Sequence, residues 1–415
     1  MALLNMGYSK DIVKGISWIG SLSFLTKAAG FLEVIILARI LAPAQFGAYS
    51  IALIALGLLE TITETGVNIV LIQEKNTEKY INSAWIVSII RGIVISIVLI
   101  ISAPFVSSFF HSSESLSLLY LVSVVPFLRG FINPAVVKFQ KNLMFGKNFS
   151  YRVVILLFDT SLSILLTYIL KNPIGIIIGL VGGVILELIL SFLVVKPRPG
   201  FSFNRTYIGT IFHRGKWVTG SSIFDYLFNN IDSITVGRIL GASSLGIYQM
   251  AYALSVMPLS EVGKVFVHVT VPVFVRISHD KNRLRSAFLK TIVSIFIISF
   301  PFVLILVLFP QIFVMVLGQK WTGVAPVLPI LAAVGLVKAL SISSSAVFIS
   351  LKKQNYTTIV TFVSIIVLLA TIVPFVMERG VVGAGISELI SSLIAIPIIL
   401  FFLVKLFFQI KKEAI

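Results

Sequence analysis

Stretch after stretch of this chain runs for some twenty residues with scarcely a charge. At 1.5 Å of rise per residue, such a run as a helix crosses the roughly 30 Å of hydrocarbon in a bilayer. A chain built this way is a polytopic membrane protein, and its backbone polar groups must be satisfied within helices. Composition agrees: 58% of the 415 residues are hydrophobic and 12% are charged, about half the charged share of a globular domain. About twelve spans are expected, near 16–41, 46–72, 83–109, 115–138, 152–170, 173–195, 217–240, 246–275, 287–309, 322–350, 356–377 and 381–405. The first run carries Lys27, is longer than a signal-peptide core and lacks a small-residue cleavage site, so it reads as a retained helix. The absence of cysteine removes disulfides, thiol catalysis and cysteine-based zinc sites.

The chain also repeats itself. Arg39, Ile40, Leu41, Gly47, Tyr49 and Ala52 meet Arg238, Ile239, Leu240, Gly246, Tyr248 and Ala251 without a gap, at a shift of 199 residues. Unrelated apolar helices would share roughly one identity in such a window. Trp18 meets Trp217 at the same shift. Two halves on one plan are the usual construction of secondary transporters. About six spans precede the second copy, an even number, so both copies enter the membrane in the same direction. The expected fold is all-α, with two six-helix lobes related by a pseudo-twofold along the membrane normal. The connection 196–216, with Pro197 and Pro199, marks the boundary, giving lobes 1–200 and 201–415.

The formal charge of +17 would suggest nucleic acid in a soluble protein, but here the basic residues alternate by connection. One set holds Lys10, Lys14, Lys75, Lys79, Lys138, Lys141, Lys147, Arg152, Lys196, Arg198, Arg205, Arg214, Lys216, Arg276, Lys281, Arg283, Arg285, Lys290, Lys352, Lys353, Lys405, Lys411 and Lys412. The opposite set holds Arg39, Lys171, Arg238, Lys320 and Arg379. The positive-inside rule then puts both termini in the cytoplasm. Much of the excess is an orientation signal with some attraction to anionic lipid, and no nucleic-acid partner is expected.

A charge at bilayer depth costs about 2.5–3.5 kcal/mol on insertion scales, so such residues should face protein or water. Lys27, Glu33, Glu60, Glu64, Arg91, Arg129, Asp225, Asp232, Glu261, Lys264, His268 and Lys338 qualify, with Asp159, Glu187 and Glu388 as weaker cases. Glu60, Glu64 and Asn68 fall at helical spacing and predict one polar stripe; Glu261, Lys264 and His268 predict another, and Asp225, Asn229 and Asp232 a third. These faces would share a hydrated cavity between the lobes. Blander roles compete: Arg39 and Arg238 snorkel at helix ends, Glu261 and Lys264 form a private ion pair, and Arg129 is an orientation charge. Lys27 is the leading site candidate, being deep and lacking a carboxylate one turn away. No histidine pair has metal-ligand spacing, and the nucleotide-binding loop G-x-x-x-x-G-K-[ST], H-E-x-x-H and G-x-S-x-G are absent. Neither an enzyme nor a metal protein is expected.

A set of residues carries a resemblance. These are Thr26 and Lys27, Gly30 and Phe31, Ala38 through Leu41, Phe46, Gly47 and Tyr49, Glu64 and Gly66, and the cytoplasmic stretch Phe139 to Phe145. Through them the chain resembles the Wzx-like polysaccharide flippases of the multidrug/oligosaccharidyl-lipid/polysaccharide (MOP) exporter superfamily, whose architecture is MATE-like. The resemblance implies a flippase moving undecaprenyl-pyrophosphate-linked sugar units from the inner to the outer leaflet of the bacterial inner membrane. It also implies a cation on the first helix that meets the pyrophosphate, and Lys27 holds the matching position. Where some relatives carry another basic residue a little further on, this chain has Leu32 and Glu33. Alternating access by rocking lobes would use Lys27, Arg91, Arg129, Lys264 and Lys338 as anion contacts. Glu60, Glu64, Asp225, Asp232 and Glu261 would bind a coupling H⁺ or Na⁺ or balance those charges, with no other cofactor. Membrane lipids and polysaccharide polymerase machinery are the expected partners. The alternatives are a multidrug or cation antiporter, a lipid-linked peptidoglycan precursor flippase, or, from another class, a membrane glycan polymerase.

Overall fold

The computed structural model describes residues 2–409 except positions 65, 75 and 203, and every regular element among them is a helix. Of the orientation charges, Lys75, Lys411 and Lys412 lie outside the described residues, as do the side chains of Lys10, Lys14, Arg214, Lys216 and of Trp217 in the repeat. Two compact units form. The first groups the chain through Leu41 with Ala48–Asn230, and the second groups Ala42–Gly47 with the chain from Ile231 onward.

The first unit contains α1 (Ala2–Ile40), most of α2 (Pro43–Ile62), α3 (Val67–Gln73), α4 (Thr77–Phe109), α5 (Ser113–Val122), α6 (Val124–Gly130), α7 (Lys138–Lys141), α8 (Phe145–Leu170), α9 (Ile174–Val194) and the start of α10 (Arg205–Arg276). Its core joins Ala48, Ala52 and Leu56 of α2 to Ile95, Leu99 and Ala103 of α4, Leu118 and Leu119 of α5, and Ile177 of α9. Alanines on α2 let it approach its neighbours closely, which is how helices pack where lipid removes the hydrophobic drive. On α9, Gly175, Gly179 and Gly183 do the same at four-residue spacing. A Cβ on Gly175 would stand 2.4 Å from the Thr167 amide nitrogen, and one on Gly179 2.5 Å from that of Ser163.

The second unit contains the rest of α10, α11 (Lys281–Leu308), α12 (Pro310–Leu317), α13 (Leu328–Ser350) and α14 (Gln354–Gln409). Its core gathers Phe274, Phe288, Val347, Phe348, Ile399, Phe402 and Leu403, with Tyr356 stacked on Phe402 at 4.1 Å between ring centres. Outward positions stay apolar in both units: Ile101 and Phe105 are each 73% exposed, and Met315 is 77% exposed. Such a surface belongs in hydrocarbon.

Nine helices among the described residues are long and apolar enough to cross a bilayer, or ten counting the bent pair Ser113–Gly130 and Pro134–Lys141, which meet at 71°. Twelve separate helices were expected, and the division differs for three reasons. Ser222–Arg276 and Gln354–Phe407 run 55 and 54 residues, some 80 Å of helix each and more than one crossing requires. Each is interrupted at a glycine with positive φ, Gly241 at 82° and Gly380 at 59°, where the sequence predicts a connection. The expected span 115–138 bends where Pro134 opens a 3₁₀ turn. The expected span 46–72 breaks too: α2 ends at Ile62, and Gly66, with φ 62°, starts α3.

The two segments that match in sequence at the 199-residue shift meet within the second unit. A Cβ on Gly47 would lie 1.7 Å from the Ala242 carbonyl oxygen, and one on Gly246 would lie 2.0 Å from that of Pro43. Pro43 and Ala242 stand at the same 199-residue shift as the two glycines, so the contact is reciprocal.

Candidate functional site

Among the described residues, charged side chains inside the helices gather into groups within each unit, the pair of Arg152 on α8 with Glu187 on α9 at 3.8 Å among them. In the first unit, Arg129 donates from Nη1 to Glu60 Oε1 at 2.7 Å, joining α6 to the end of α2. Arg91 of α4 donates from Nη2 to the Glu60 carbonyl oxygen at 2.6 Å and from Nε to Thr63 Oγ1 at 3.2 Å. The guanidinium therefore satisfies carbonyl and hydroxyl oxygens left open where α2 stops. Glu64 lies in that break, close enough to Arg91 to interact electrostatically. This corrects the predicted stripe: Glu60, Glu64 and Asn68 do not share one helical face, because the helix ends between the first and second of them. Thr61 and Thr63 donate back to the carbonyls of Gly57 and Leu59 at 2.7 and 2.6 Å. Such bonding at a helix end competes with continuing the helix.

A further group of the first unit went largely unread in the sequence. Glu33 of α1 lies near Thr160 Oγ1 of α8, which donates to Oε2 at 3.4 Å. Asp159 is the neighbouring acid, accepting from Ser163 at 3.4 Å, and Tyr49 is within electrostatic range of both. A Cβ on Gly183 would stand 2.8 Å from Asp159 Cβ, so the glycine stripe of α9 holds Asp159 in place. That stripe, combined with Glu33, was the readable signal. Lys27 is exposed on α1, within the apolar stretch Gly20–Ile40.

In the second unit, Lys264 donates to Glu261 at 2.8 Å, one turn away on α10, as the ion-pair alternative anticipates. His268 on the same face is exposed. On the part of α10 that belongs to the first unit, Asp225 and Asn229 are exposed and share a turn, Asn229 donating to the Asp225 carbonyl at 2.6 Å. Asp232 has a different environment at 3% exposure, its Oδ2 accepting from the Tyr248 hydroxyl at 2.6 Å. Lys338 of α13 is ion-paired with Glu388 of α14 and donates to the Tyr252 hydroxyl at 3.5 Å. Asp232, Glu388 and Lys338 are in mutual electrostatic range. Glu388, a weak case in the sequence, is thus central to this group. Arg39 and Arg238 are exposed at corresponding helix positions. Among the described residues, no group of three or more His, Cys, Asp or Glu is arranged to hold a metal ion.

Charges embedded in apolar helices, a glycine-tightened bundle and a lipid-facing surface describe a polytopic membrane helix bundle. Residues 36–326 match the model of a family described as polysaccharide biosynthesis protein. The chain belongs to that family. It is similar to an uncharacterized membrane protein in the cps region of Klebsiella pneumoniae, 27% identical over 410 residues, covering 96% of this chain and 84% of the relative. It is also similar to the lipopolysaccharide biosynthesis protein WzxC of Escherichia coli K12, at 26% over 342 residues, covering 80% and 69%. In fold it matches the lipid II flippase MurJ in an inward closed conformation, with a TM-score of 0.72 and 14% identity, covering 94% of this chain and 89% of that one. The fold is also that of an inward-facing MATE transporter of the MOP superfamily, with a TM-score of 0.70 and 15% identity, covering 94% of this chain and 96% of that one. This chain is a multi-pass membrane protein.

Proposed function

We propose that this protein is a non-enzymatic flippase that carries an undecaprenyl-pyrophosphate-linked oligosaccharide from the cytoplasmic to the outer leaflet of the bacterial inner membrane, with both its termini in the cytoplasm. Membership of a polysaccharide biosynthesis family supports the sugar. The observation that carries the anionic carrier lipid is Lys27, an exposed ammonium on an apolar span.

The physics of the task explains why such a residue is there. Each sugar hydroxyl stripped of water in hydrocarbon costs several kcal/mol, so the glycan needs a wet path while the prenyl tail stays in lipid. A pyrophosphate diester bears about two negative charges, and each gains roughly 2.3 kcal/mol per 100 mV on moving to the positive outer face. The cost lies at mid-membrane, where cations neutralise the phosphates. Lys27 is the first of these cations, and Arg91, Arg129, Lys264 and Lys338 are further anion contacts. Glu60, Glu64, Asp225, Asp232 and Glu261 bind the coupling H⁺ or Na⁺ or balance these charges as the lobes alternate.

A leaflet-resolved assay tests this, with labelled lipid-linked oligosaccharide in proteoliposomes. Lys27→Ala should abolish flipping and Lys27→Arg should retain part of it. Wild-type rates in Lys27→Ala would remove Lys27 from the path.

A further inference from the structure

α11 begins with basic residues that its own unit does not balance. From Lys281 to Met377 the chain has no acidic residue, yet Lys281, Arg283, Arg285 and Lys290 all fall at the start of this stretch. Each described acid of the second unit is engaged elsewhere. Asp280 pairs with Arg283 at 3.3 Å, Glu261 with Lys264, Glu378 with Arg379 and Glu388 with Lys338, while Asp232 accepts from Tyr248. Among the described residues, Arg285 and Lys290 have no carboxylate partner.

These two side chains line a groove of 580 Å³ on the exposed face of α11, a volume in the range of small-molecule sites. Its lining is sorted along the helix. Asn282, Arg285, Ser286 and Lys290 supply the polar and cationic end, and Leu289 and Val293, both half-exposed, supply an apolar wall. Beyond the groove that wall continues through exposed Ile297 and the stacked rings of Phe296 and Phe300. Depth agrees with this order. α11 has 28 residues, about 42 Å of helix, which matches the roughly 40–45 Å of a bilayer with its headgroups. Arg285 then lies about 6 Å from the start of the helix, in the headgroup layer. Lys290 lies about 14 Å in, and its stem, tilted toward the helix N-terminus, can bring the ammonium back to the same layer.

We propose that this groove binds an anionic glycerophospholipid, its phosphate between Arg285 and Lys290 and an acyl chain along Leu289 and Val293 toward Ile297. Both parts of the ligand are specified. A free phosphate would leave the apolar wall bare, and a zwitterionic lipid would add a third cation beside two that already lack an anion. The guanidinium fork suits phosphate oxygens, and the ammonium adds a point charge. The site faces lipid and stands apart from the flippase reading, since it does not depend on what the protein carries.

The test uses full-length protein in phosphatidylcholine bilayers. Ile297→Cys in this cysteine-free chain carries a fluorophore that lipids brominated in their acyl chains quench on contact. Brominated phosphatidylglycerol should be preferred over brominated phosphatidylcholine about tenfold. Arg285→Gln with Lys290→Gln should lower that preference to about one, and the exchange Arg285→Lys with Lys290→Arg should keep most of it. Lys352→Gln with Lys353→Gln removes the same charge from another exposed connection of the unit and should leave the preference unchanged. Soluble glycerol phosphate should not relieve the quenching. Equal quenching by the two lipids in the wild type, a preference that survives Arg285→Gln with Lys290→Gln, or an equal loss in both double glutamine variants would each overturn the proposal. Relief by glycerol phosphate would also overturn it, because the site would then recognise phosphate without the chain.

Discussion

Arg129 and Glu60 meet at 2.7 Å with their side chains 40% and 29% exposed. Water screens such a pair, and exposed ion pairs contribute about 0.2–1 kcal/mol. A double-mutant cycle on thermal unfolding, with Arg129→Gln and Glu60→Gln, should give a coupling inside that range; a value of several kcal/mol would mean a desolvated pair instead. Arg91 differs because it serves backbone and hydroxyl oxygens at the end of α2. At this scale the sequence revealed which residues are costly in a membrane, and every candidate does sit on or beside an apolar helix. It did not reveal the partners. Spacing put Glu60 with Glu64, yet the contacts of Glu60 come from α4 and α6, dozens of residues away in sequence. Glu33 with Asp159, and Lys338 with Glu388, are likewise pairs made across helices, and helical periodicity carries no information about them.

Between elements, the contact of α8 with α9 depends on what is missing from α9. A methyl added at Gly179 would meet the Ser163 backbone nitrogen at 2.5 Å, whereas one added at Gly182 would meet side chains alone, the Leu162 Cδ2 methyl at 2.5 Å and Phe158 Cε1 at 3.6 Å. Backbone cannot yield, but a leucine tip can change rotamer. Gly179→Ala should therefore destabilise the protein by about 1–3 kcal/mol, and Gly182→Ala by clearly less, as read from melting in detergent. Equal effects would show that the two helices separate freely. The same reasoning applies to the reciprocal crossing: Gly47→Ala and Gly246→Ala should each lower stability, and the double variant should cost less than their sum because either alone opens the contact. The glycine runs were visible in the sequence, and so were the breaks at Gly241 and Gly380. The break after Ile62 was not, because threonine and glutamate at 61–64 fit a continuing helix and only their back-bonding stops it.

For the molecule as a whole, the charge pattern of the connections sets a topology that can be measured directly, since the cysteine-free chain accepts single reporters. Asn172 and Gln354 are both exposed. Asn172→Cys should react with an impermeant maleimide from outside intact cells, and Gln354→Cys only after permeabilisation; the opposite pattern would invert the orientation. What the sequence determined by itself was the solvent: runs of apolar residues admit only a lipid environment and a helical backbone, and basic connections bias which side stays inside. Those outcomes depend on local transfer energies, which add along the chain. Tertiary structure decided which charges are paired, where α2 breaks, and that Lys338 pairs with Glu388. Each of these follows from side chains on different helices arriving within bonding distance, a condition imposed by packing and not by the order of residues within any one helix.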